Sequence, residues 1–340
     1  MHLAWLSKKL KNNFVQCLAC NHYCQIAPKK AGICNVRQNI DGKLYSLVYA
    51  NPASVNVDPI EKKPLYHFLP GTEVFSLGTL GCNFKCGFCQ NWTISQTNLP
   101  TAESWAIDSP WSPEKVVNYC LKNKIPSIAY TYNEPAVFFE YVFDIAKLAH
   151  QKGIKNILVS NGYFSQEALQ KIASFIDAMN IDLKSFNKSF YQKVCAGKLN
   201  FVLENIKELV KRKIWLEITT LVIPGQNDKI EELKNLAEFI KNIDKNIPWH
   251  LSAFYPIYKM QNLLPTSLEK LIEIYTMAKK IGLKNVYLGN LREDQYSATY
   301  CPQCEQVLIK RQANGFGIDI LWKDTCVCPK CGKKILGVWE

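Results

Sequence analysis

Seven short apolar segments alternate with amphipathic helical stretches between residues 73 and 291, and this alternation constrains the fold more than any other feature of the sequence. The segments predict strands near Val74–Leu77, Ser127–Thr131, Asn156–Val159, Ala178–Asp182, Trp215–Val222, His250–Phe254 and Val286–Leu288. Consecutive strand and helix units of this kind form a parallel sheet with helices packed outside it. Six helices between seven strands are too few for a closed eightfold barrel. The sequence therefore predicts an α/β fold, a partial (βα)6 TIM-like barrel that is open on one side.

Polar turns follow directly after several of the predicted strands. Glu134 follows the second strand, Ser160 and Asn161 follow the third, and Asp182 and Lys184 lie at the end of the fourth. In a parallel barrel these turns share the carboxyl face, which is where active sites form. The turns after the last three strands are equally well explained by the ordinary turn chemistry of Gly, Pro and Asn.

Cys82, Cys86 and Cys89 form a C-x3-C-x2-C array on the loop after the first predicted strand. Tightly spaced cysteines in a chain without a secretion signal favour metal binding over disulfide bonds. Three thiolates hold three corners of a cubic iron-sulfur cluster and leave the fourth iron open to a ligand that is not protein. The array therefore predicts a 4Fe-4S cluster with a free coordination site. The identity of any further catalytic residue stays unknown.

A second cysteine group lies near the carboxyl end of the chain. Cys301, Cys304, Cys328 and Cys331 form two C-x2-C knuckles separated by strand-like residues. Four thiolates on two hairpin tips suit tetrahedral zinc, and a segment of about forty residues has too small a core to fold without such a crosslink. The sequence therefore predicts a zinc ribbon.

A third group lies near the amino terminus, where Cys17, Cys20, Cys24 and Cys34 also number four. Their C-x2-C-x3-C spacing is less diagnostic than that of the other two groups. The group is predicted to hold zinc or a second iron-sulfur cluster, and a site without metal stays open.

The segments Asp58 to Pro70 and Leu221 to Asp228, the cysteine array and the closing Gly337-Val-Trp339 carry a resemblance that covers nearly the whole chain. The chain resembles the AmmeMemoRadiSam system radical SAM enzymes, which are relatives of pyruvate formate-lyase activating enzyme. This family is named for its co-occurrence with Memo-like and AMMECR1-like proteins. The resemblance implies an enzyme in which a reduced 4Fe-4S cluster cleaves S-adenosylmethionine to methionine and a 5′-deoxyadenosyl radical, which then abstracts hydrogen.

The resemblance also assigns the binding of S-adenosylmethionine to polar residues near the strand ends. These residues are Asn133, Glu134, Ser160, Asn161, Asp182, Lys184 and His250. It implies that the loop of Glu134 binds the amino group of the cofactor, that Lys184 neutralises its carboxylate and that His250 lies near its adenosine. Simpler explanations stay open, since a glutamate suits any helix start, Asp182 and Lys184 suit a surface ion pair, and a lone histidine is often a packed core residue.

The charge balance does not decide the class of substrate. Lys and Arg outnumber Asp and Glu by 41 to 29, which gives a formal net charge of +12, but the lysines are spread along the chain. A basic surface of this kind is compatible with nucleic acid. The resemblance and the open barrel predict a protein or peptide substrate, with Memo-like and AMMECR1-like proteins as candidates. The alternatives are a glycyl-radical-enzyme activase and the radical modification of nucleic acid. A reductant such as flavodoxin or ferredoxin would supply the electron.

The sequence predicts three units, an N-terminal four-cysteine module with a linker over residues 1–70, the barrel over 71–295 and the zinc ribbon over 296–340. A run of about 18 apolar residues, which a membrane span needs, does not occur. The amino terminus has no signal-peptide core. A cytoplasmic protein without a membrane partner is therefore expected.

Overall fold

The computed structural model describes residues 1–97, 110–291, 293–312, 317–322 and 326–340. The N-terminal part contains six short strands, β1 His2–Leu3, β2 Ser7–Lys9, β3 Val15–Cys17, β4 Gln25–Ile26, β5 Arg37–Ile40 and β6 Lys43–Ser46. They form two small antiparallel sheets, in the orders β1-β6-β5 and β2-β3-β4. Three of the four N-terminal cysteines lie in the connections between these strands.

The main sheet has eight strands among the described residues. They are β7 Ser54–Pro59, β8 Glu73–Gly78, β9 Ser127–Tyr130, β10 Lys155–Ser160, β11 Ala178–Asp182, β12 Trp215–Val222, β13 Trp249–Ala253 and β14 Val286–Gly289. The strands follow one another in chain order, and β8 to β14 are all parallel. These seven strands lie within one residue of their predicted positions, which confirms the partial parallel barrel.

Strand β7 is a part of the barrel sheet that the sequence did not predict. It pairs antiparallel with β8, from Ser54 opposite Gly78 to Pro59 opposite Glu73. Residues 54–59 therefore belong to the barrel sheet, although the sequence assigned them to the N-terminal module and linker. Strands β7 and β14 are the two edges of the sheet, so the barrel is open between them.

Helices cover the outside of the barrel. They are α1 Trp92–Ser95, α2 Pro113–Lys122, α3 Phe139–Gln151, α4 Gln166–Ile172, α5 Lys188–Phe190, α6 Leu199–Lys211, α7 Ile230–Asp244 and α8 Leu268–Ile281. Ser112 caps α2 by accepting a hydrogen bond from the Lys115 amide, and Gly282 ends α8 with a φ of +113°. No helix in the described ranges is long and apolar enough to cross a membrane.

The C-terminal part packs into the open side of the barrel. Strands β15 Thr299–Tyr300, β16 Val307–Arg311 and β17 Ile318–Ile320 form a small antiparallel sheet in that order. Residues 60–72, which we call the strap, connect β7 to β8 and contact this part. The Val338 carbonyl accepts a hydrogen bond from the Leu69 amide at 2.7 Å, and the Val338 amide donates to the His67 carbonyl at 2.8 Å.

The N-terminal part is held against helix α3 by a buried ion pair. Arg37 donates to both carboxylate oxygens of Glu140, at 2.6 and 2.8 Å, and both side chains are almost completely buried. Burial by itself would raise the pKa of Glu140, but the Arg37 guanidinium holds it below its usual value. The pair explains how a helix with a buried glutamate is stable in this position.

We expect Arg37→Met to lower the free energy of unfolding by about 3–5 kcal/mol, because it leaves the Glu140 carboxylate buried without its partner. The double variant Arg37→Met/Glu140→Leu should recover most of this loss, since both charges are then absent. Urea unfolding measures both values. The matched control is Lys270→Met, which breaks the exposed Lys270–Glu273 pair and should cost less than about 1 kcal/mol. A double variant as unstable as the single one would contradict this account.

Candidate active site

The cysteine loop begins where β8 ends, at the carboxyl face of the barrel. Gly81 precedes the first cysteine with a φ of +82°, a conformation that favours glycine, and an added Cβ would lie 2.5 Å from the Cys34 carbonyl oxygen. After this turn, Cys82, Cys86 and Cys89 all line one cavity of about 590 Å³. The loop therefore presents three thiols to a space of the size that cofactor sites have.

The chemistry of this cavity suits an iron-sulfur cluster. Burial raises the pKa of the Cys82 and Cys89 thiols, so without metal these groups are neutral. A metal replaces the thiol proton and restores the thiolate. Three soft sulfur ligands on one side of a cavity, with polar groups on the other side, match a cluster that has one open iron.

Glu134 lies on the wall of the same cavity and is buried. Its carboxylate accepts hydrogen bonds from the Ser160 hydroxyl at 2.9 Å, the Asn161 amide at 2.8 Å and the Ala136 amide at 3.2 Å. Burial raises its pKa to about 7, against the opposite effect of these donors. Glu134 thus links the ends of β9 and β10, and Ser160 and Asn161 hold its carboxylate in place.

Asn133 lines the cavity and also fixes the cysteine loop. Its side-chain oxygen accepts from the Thr79 amide at 3.1 Å, and its amide group donates to the Gly81 carbonyl at 2.7 Å. Asn161 makes a similar contact, since its side chain donates to Asn83 at 2.8 Å. Both asparagines therefore connect neighbouring strand ends to the residues around Cys82.

Asp182 and Lys184 lie at the end of β11 and line the same cavity. Their side chains form an ion pair with an N–O distance of 2.9 Å, and Lys184 is largely buried while Asp182 is partly exposed. Burial alone would lower the pKa of Lys184, but Asp182 and the neighbouring thiols raise it. The cavity wall therefore holds a positive charge close to the cysteine loop, where the Lys184 ammonium lies 5.7 Å from the centre of the Phe88 ring.

His250 is not part of this cavity. It is the second residue of β13, in register with Thr219 of β12, which pairs in turn with Asp182 at the end of β11. Its Nε2 is 2.6 Å from Glu217, and its ring packs against Tyr66 and Tyr287. The position of His250 near the adenosine of the cofactor therefore stays a prediction, beside the simpler explanation of a packed and hydrogen-bonded core histidine.

A second cavity, of about 440 Å³, lies between the strap, β14 and the C-terminal part, and His250 lines this one. Thr219, Ser252 and Asn290 line both cavities. The two cavities are therefore neighbours that share part of their walls.

The C-terminal cysteines come together as the ribbon prediction requires. Cys301, Cys304, Cys328 and Cys331 have sulfur atoms that all lie within 4.8 Å of one another. Two of these contacts are 3.6 Å, between Cys301 and Cys331, and 3.5 Å, between Cys304 and Cys328. This part of the chain is thus a compact four-thiol cluster.

Two residues near the cysteine loop were missed as site residues by the sequence reasoning. Asn83 directly follows Cys82, and its side-chain nitrogen is buried without a hydrogen-bond partner among the described residues. Cys195 is fully buried, and the neighbouring Cys195 thiol, together with burial, raises the pKa of Cys86. Adjacency to Cys82 signals Asn83, whereas Cys195 is brought in by the fold, where its carbonyl accepts from the Lys85 amide at 2.9 Å.

We expect Cys195→Ala to lower the reduction potential of a cluster bound to Cys86. Once Cys86 is a metal-bound thiolate it can only accept, so the S–H of Cys195 would donate to it and stabilise the extra negative charge of the reduced state. Losing a weak hydrogen bond of about 0.5–1 kcal/mol corresponds to about 20–40 mV for a one-electron couple. A redox titration followed by electron paramagnetic resonance measures the shift, with Cys120→Ala as a control at another buried, lone cysteine. An unchanged or higher potential would show that the contact has no influence on the cluster.

The comparisons with known proteins agree with this geometry. Residues 77–240 match the model of the radical SAM superfamily. The chain is 40% identical over 339 residues to an uncharacterized protein of Methanocaldococcus jannaschii, MJ0808, with 98% of this chain and 99% of that protein covered. It is 27% identical over 226 residues to the "Putative glycyl-radical enzyme activating enzyme MJ1632" of the same organism, with 65% and 80% covered.

Among solved structures, Streptococcus suis SuiB bound to S-adenosylmethionine is similar in fold, with a TM-score of 0.50 and 13% identity over 68% of this chain and 53% of that one. The family match covers β9 to β12 and the cysteine loop, which form most of the cavity wall, while the strap, β13 and the turn after β14 supply the rest. The chain belongs to the radical SAM superfamily and is an enzyme of that class, for which a 4Fe-4S cluster and S-adenosylmethionine are the implied cofactors.

Proposed function

We propose that Cys82, Cys86 and Cys89 hold the 4Fe-4S cluster of this enzyme and that the polar groups of the same cavity bind S-adenosylmethionine. The observation that carries this proposal is that the three thiols line one cavity together with Glu134 and Lys184. When bound and reduced, the cluster supplies the electron that cleaves the cofactor to methionine and a 5′-deoxyadenosyl radical. The protein's own residues orient the cofactor and exclude water.

The two charged groups on the wall suit the two charges of an amino acid. Glu134 is an acceptor that Ser160 and Asn161 fix in orientation, so it can receive the cofactor's ammonium group. Lys184 carries the positive charge that the cofactor's carboxylate requires, and Asp182 keeps it in place. His250 lines the neighbouring cavity, and its position near the cofactor's adenosine stays part of the proposal.

We expect Lys184→Met to weaken the binding of S-adenosylmethionine by about tenfold, which corresponds to about 1.4 kcal/mol for one lost charged contact. Calorimetric titration of the cluster-loaded protein measures the dissociation constant. Lys193→Met is the matched control, since Lys193 is an exposed lysine on the following turn. An unchanged dissociation constant would remove Lys184 from the cofactor site.

We further propose that the substrate is a protein or peptide and that the chain is an AmmeMemoRadiSam system enzyme, with Memo-like and AMMECR1-like proteins as the first partners to test. Large apolar residues are exposed on segments that follow the carboxyl ends of the strands, with Trp92 at the start of α1 41% exposed and, between β13 and α8, Tyr255 52% and Leu264 78% exposed. Exposed apolar residues around a cavity support contact with another protein. A relative described as an activating enzyme supports the same class of substrate, and a flavodoxin or ferredoxin would be the reductant.

The three predicted units, 1–70, 71–295 and 296–340, stay part of the proposal, with β7 shared between the first unit and the barrel sheet. Zinc is the metal proposed for Cys301, Cys304, Cys328 and Cys331, because their sulfur separations of 3.5 and 3.6 Å suit tetrahedral coordination. The ribbon would then hold the strap against the open side of the barrel.

The experiment that tests the function is anaerobic reconstitution with iron and sulfide, reduction with dithionite and measurement of 5′-deoxyadenosine from S-adenosylmethionine. A basal rate of release supports the radical chemistry. Purified Memo-like and AMMECR1-like proteins, and an extract of the producing cells, are then added. Stimulation that protease treatment removes supports a protein substrate, whereas stimulation that only nuclease removes would replace it with nucleic acid. A fully loaded cluster that releases no product with any of these additions would contradict the proposed function.

A further inference from the structure

The N-terminal cysteines converge on one small pocket although they are spread over 18 residues of sequence. Cys17, Cys20, Cys24 and Cys34 all line it, and apolar side chains such as that of Ile26 and those of Ala136 and Val137 on the barrel enclose it. Three of the four cysteines are buried and Cys24 is partly exposed. Four thiols that face one enclosed space from four separate positions are the donor set of a metal centre.

The spacing of the sulfur atoms separates this group, the quartet, from the ribbon. Zinc with four thiolates at about 2.3 Å places the sulfurs roughly 3.8 Å apart. The ribbon meets this requirement, since its four sulfurs lie within 4.8 Å of one another. Within the ranges that the structure describes, neither the quartet nor the loop of Cys82, Cys86 and Cys89 forms such a contracted group. The sulfurs of the quartet are therefore more widely spaced than one tetrahedral zinc requires, and four thiols around a wider space suit a cube of iron and sulfide.

The quartet also lies directly beside the cluster loop. The Cys34 carbonyl oxygen packs against Gly81, which precedes Cys82, and Val36 packs there too. His22, which lies between Cys20 and Cys24, has its Nε2 2.9 Å from the Asn83 carbonyl oxygen. The two groups of cysteines therefore meet at Cys82, since Cys34 contacts the residue before it and His22 contacts the residue after it.

We propose that Cys17, Cys20, Cys24 and Cys34 hold a second, fully ligated 4Fe-4S cluster beside the Cys82 loop. This proposal rests on the proposed function in one respect, since the electron passes to the cluster held by Cys82, Cys86 and Cys89. Four protein ligands leave no open iron, so the chemistry available to this cluster is one-electron exchange. It is reduced by an external one-electron donor of the flavodoxin or ferredoxin class, and it is oxidised again when the same electron passes to the cluster on the loop.

The test uses the full chain with Cys82→Ala, Cys86→Ala and Cys89→Ala combined, so that iron can be assigned to the quartet alone. After anaerobic reconstitution we expect about four iron, four sulfide and one zinc per chain, and a paramagnetic signal on reduction. Adding Cys17→Ser and Cys34→Ser should remove this iron, whereas adding Cys120→Ser should not. About two zinc and no iron, or one zinc and no iron, would overturn the proposal. Circular dichroism checks that each variant is folded.

The wild-type protein tests the proximity of the two clusters. If both clusters are reduced and adjacent, their electron spins interact. The spectrum then differs from the sum of two spectra, that of the Cys82→Ala/Cys86→Ala/Cys89→Ala variant and that of a Cys17→Ser/Cys34→Ser variant, each of which keeps one cluster. A spectrum equal to that sum would overturn the exchange of electrons between neighbouring sites. These readouts do not depend on 5′-deoxyadenosine, so a failure here is distinguishable from a failure of the proposed radical chemistry.

Discussion

Replacing Cys86 by alanine is expected to abolish the formation of 5′-deoxyadenosine from S-adenosylmethionine. Cys86 is the most buried of the three loop cysteines, at 7% exposure, and it lies between Cys82 and Cys89 on the cavity wall. Two remaining thiolates leave two irons of a cube without a protein ligand, and such a site does not retain a 4Fe-4S cluster. We therefore expect the loss of about four iron per chain and product below the limit of detection, as measured by iron analysis and chromatography.

Cys120→Ala is the control for this prediction. Cys120 is also buried and lies on α2 without another cysteine beside it, so its loss removes a similar thiol without touching a predicted ligand set. This variant should keep its iron and its activity. Both variants should unfold at similar urea concentrations. A Cys86→Ala protein that is loaded with iron and forms product would show that the catalytic cluster lies elsewhere.

The sequence was sufficient for the barrel because its signals are local. Each parallel strand is a buried run such as Ile128 to Tyr130, bounded by a turn, and neighbouring strands pair in chain order. Because parallel strands end on one face of a barrel, the order of the strands alone predicts that Glu134, Ser160 and Lys184 share one site. The strand β7 escaped prediction because it is an edge strand with mixed exposure, whose pairing partner alone identifies it.

The remaining features depend on contacts that local patterns do not encode. The hydrogen bond between His250 and Glu217 joins residues of two strands that are 33 positions apart in sequence. The contact between Cys195 and Cys86 joins residues that are far apart in sequence, and so does the pair of Arg37 and Glu140. The resemblance supplied the chemistry of the cavity, whereas the electrostatics around Glu217 became visible only in the structure.

Glu217→Leu is expected to lower the free energy of unfolding by about 3–5 kcal/mol. Glu217 is completely buried in β12, and its carboxylate accepts four hydrogen bonds. Two come from the backbone amides of Tyr66 and His67 in the strap, at 3.0 and 2.8 Å, and two from the side chains of Trp215 and His250, at 3.1 and 2.6 Å. Leucine fills similar space but leaves all four groups without an acceptor in the interior.

The same change should loosen the strap, because His67 connects Glu217 to the C-terminal part. The His67 ring is within hydrogen-bond distance of the Leu336 carbonyl at 2.9 Å and of the Tyr287 hydroxyl at 2.6 Å, so the strap loses its fixed point when the carboxylate is removed. We therefore expect faster hydrogen exchange at the amides of residues 66–69 in the native protein, while the amides of β9 and β10 exchange at their usual rates. Urea unfolding measures the total loss and exchange mass spectrometry measures its location.

Glu217→Gln and Glu238→Leu are the controls that separate lost hydrogen bonds from a general effect of substitution. Glutamine keeps one acceptor oxygen, which can serve His67 and Trp215, but presents an amide donor to Tyr66, so its cost should be intermediate. Glu238 is exposed on α7, and its replacement by leucine should change stability by less than about 0.5 kcal/mol. If Glu217→Leu were as stable as wild type and kept slow exchange in the strap, packing of the ribbon rather than the carboxylate would hold the open side of the barrel. The expected order, Glu217→Leu below Glu217→Gln below wild type, follows only if the buried acceptor fixes the strap.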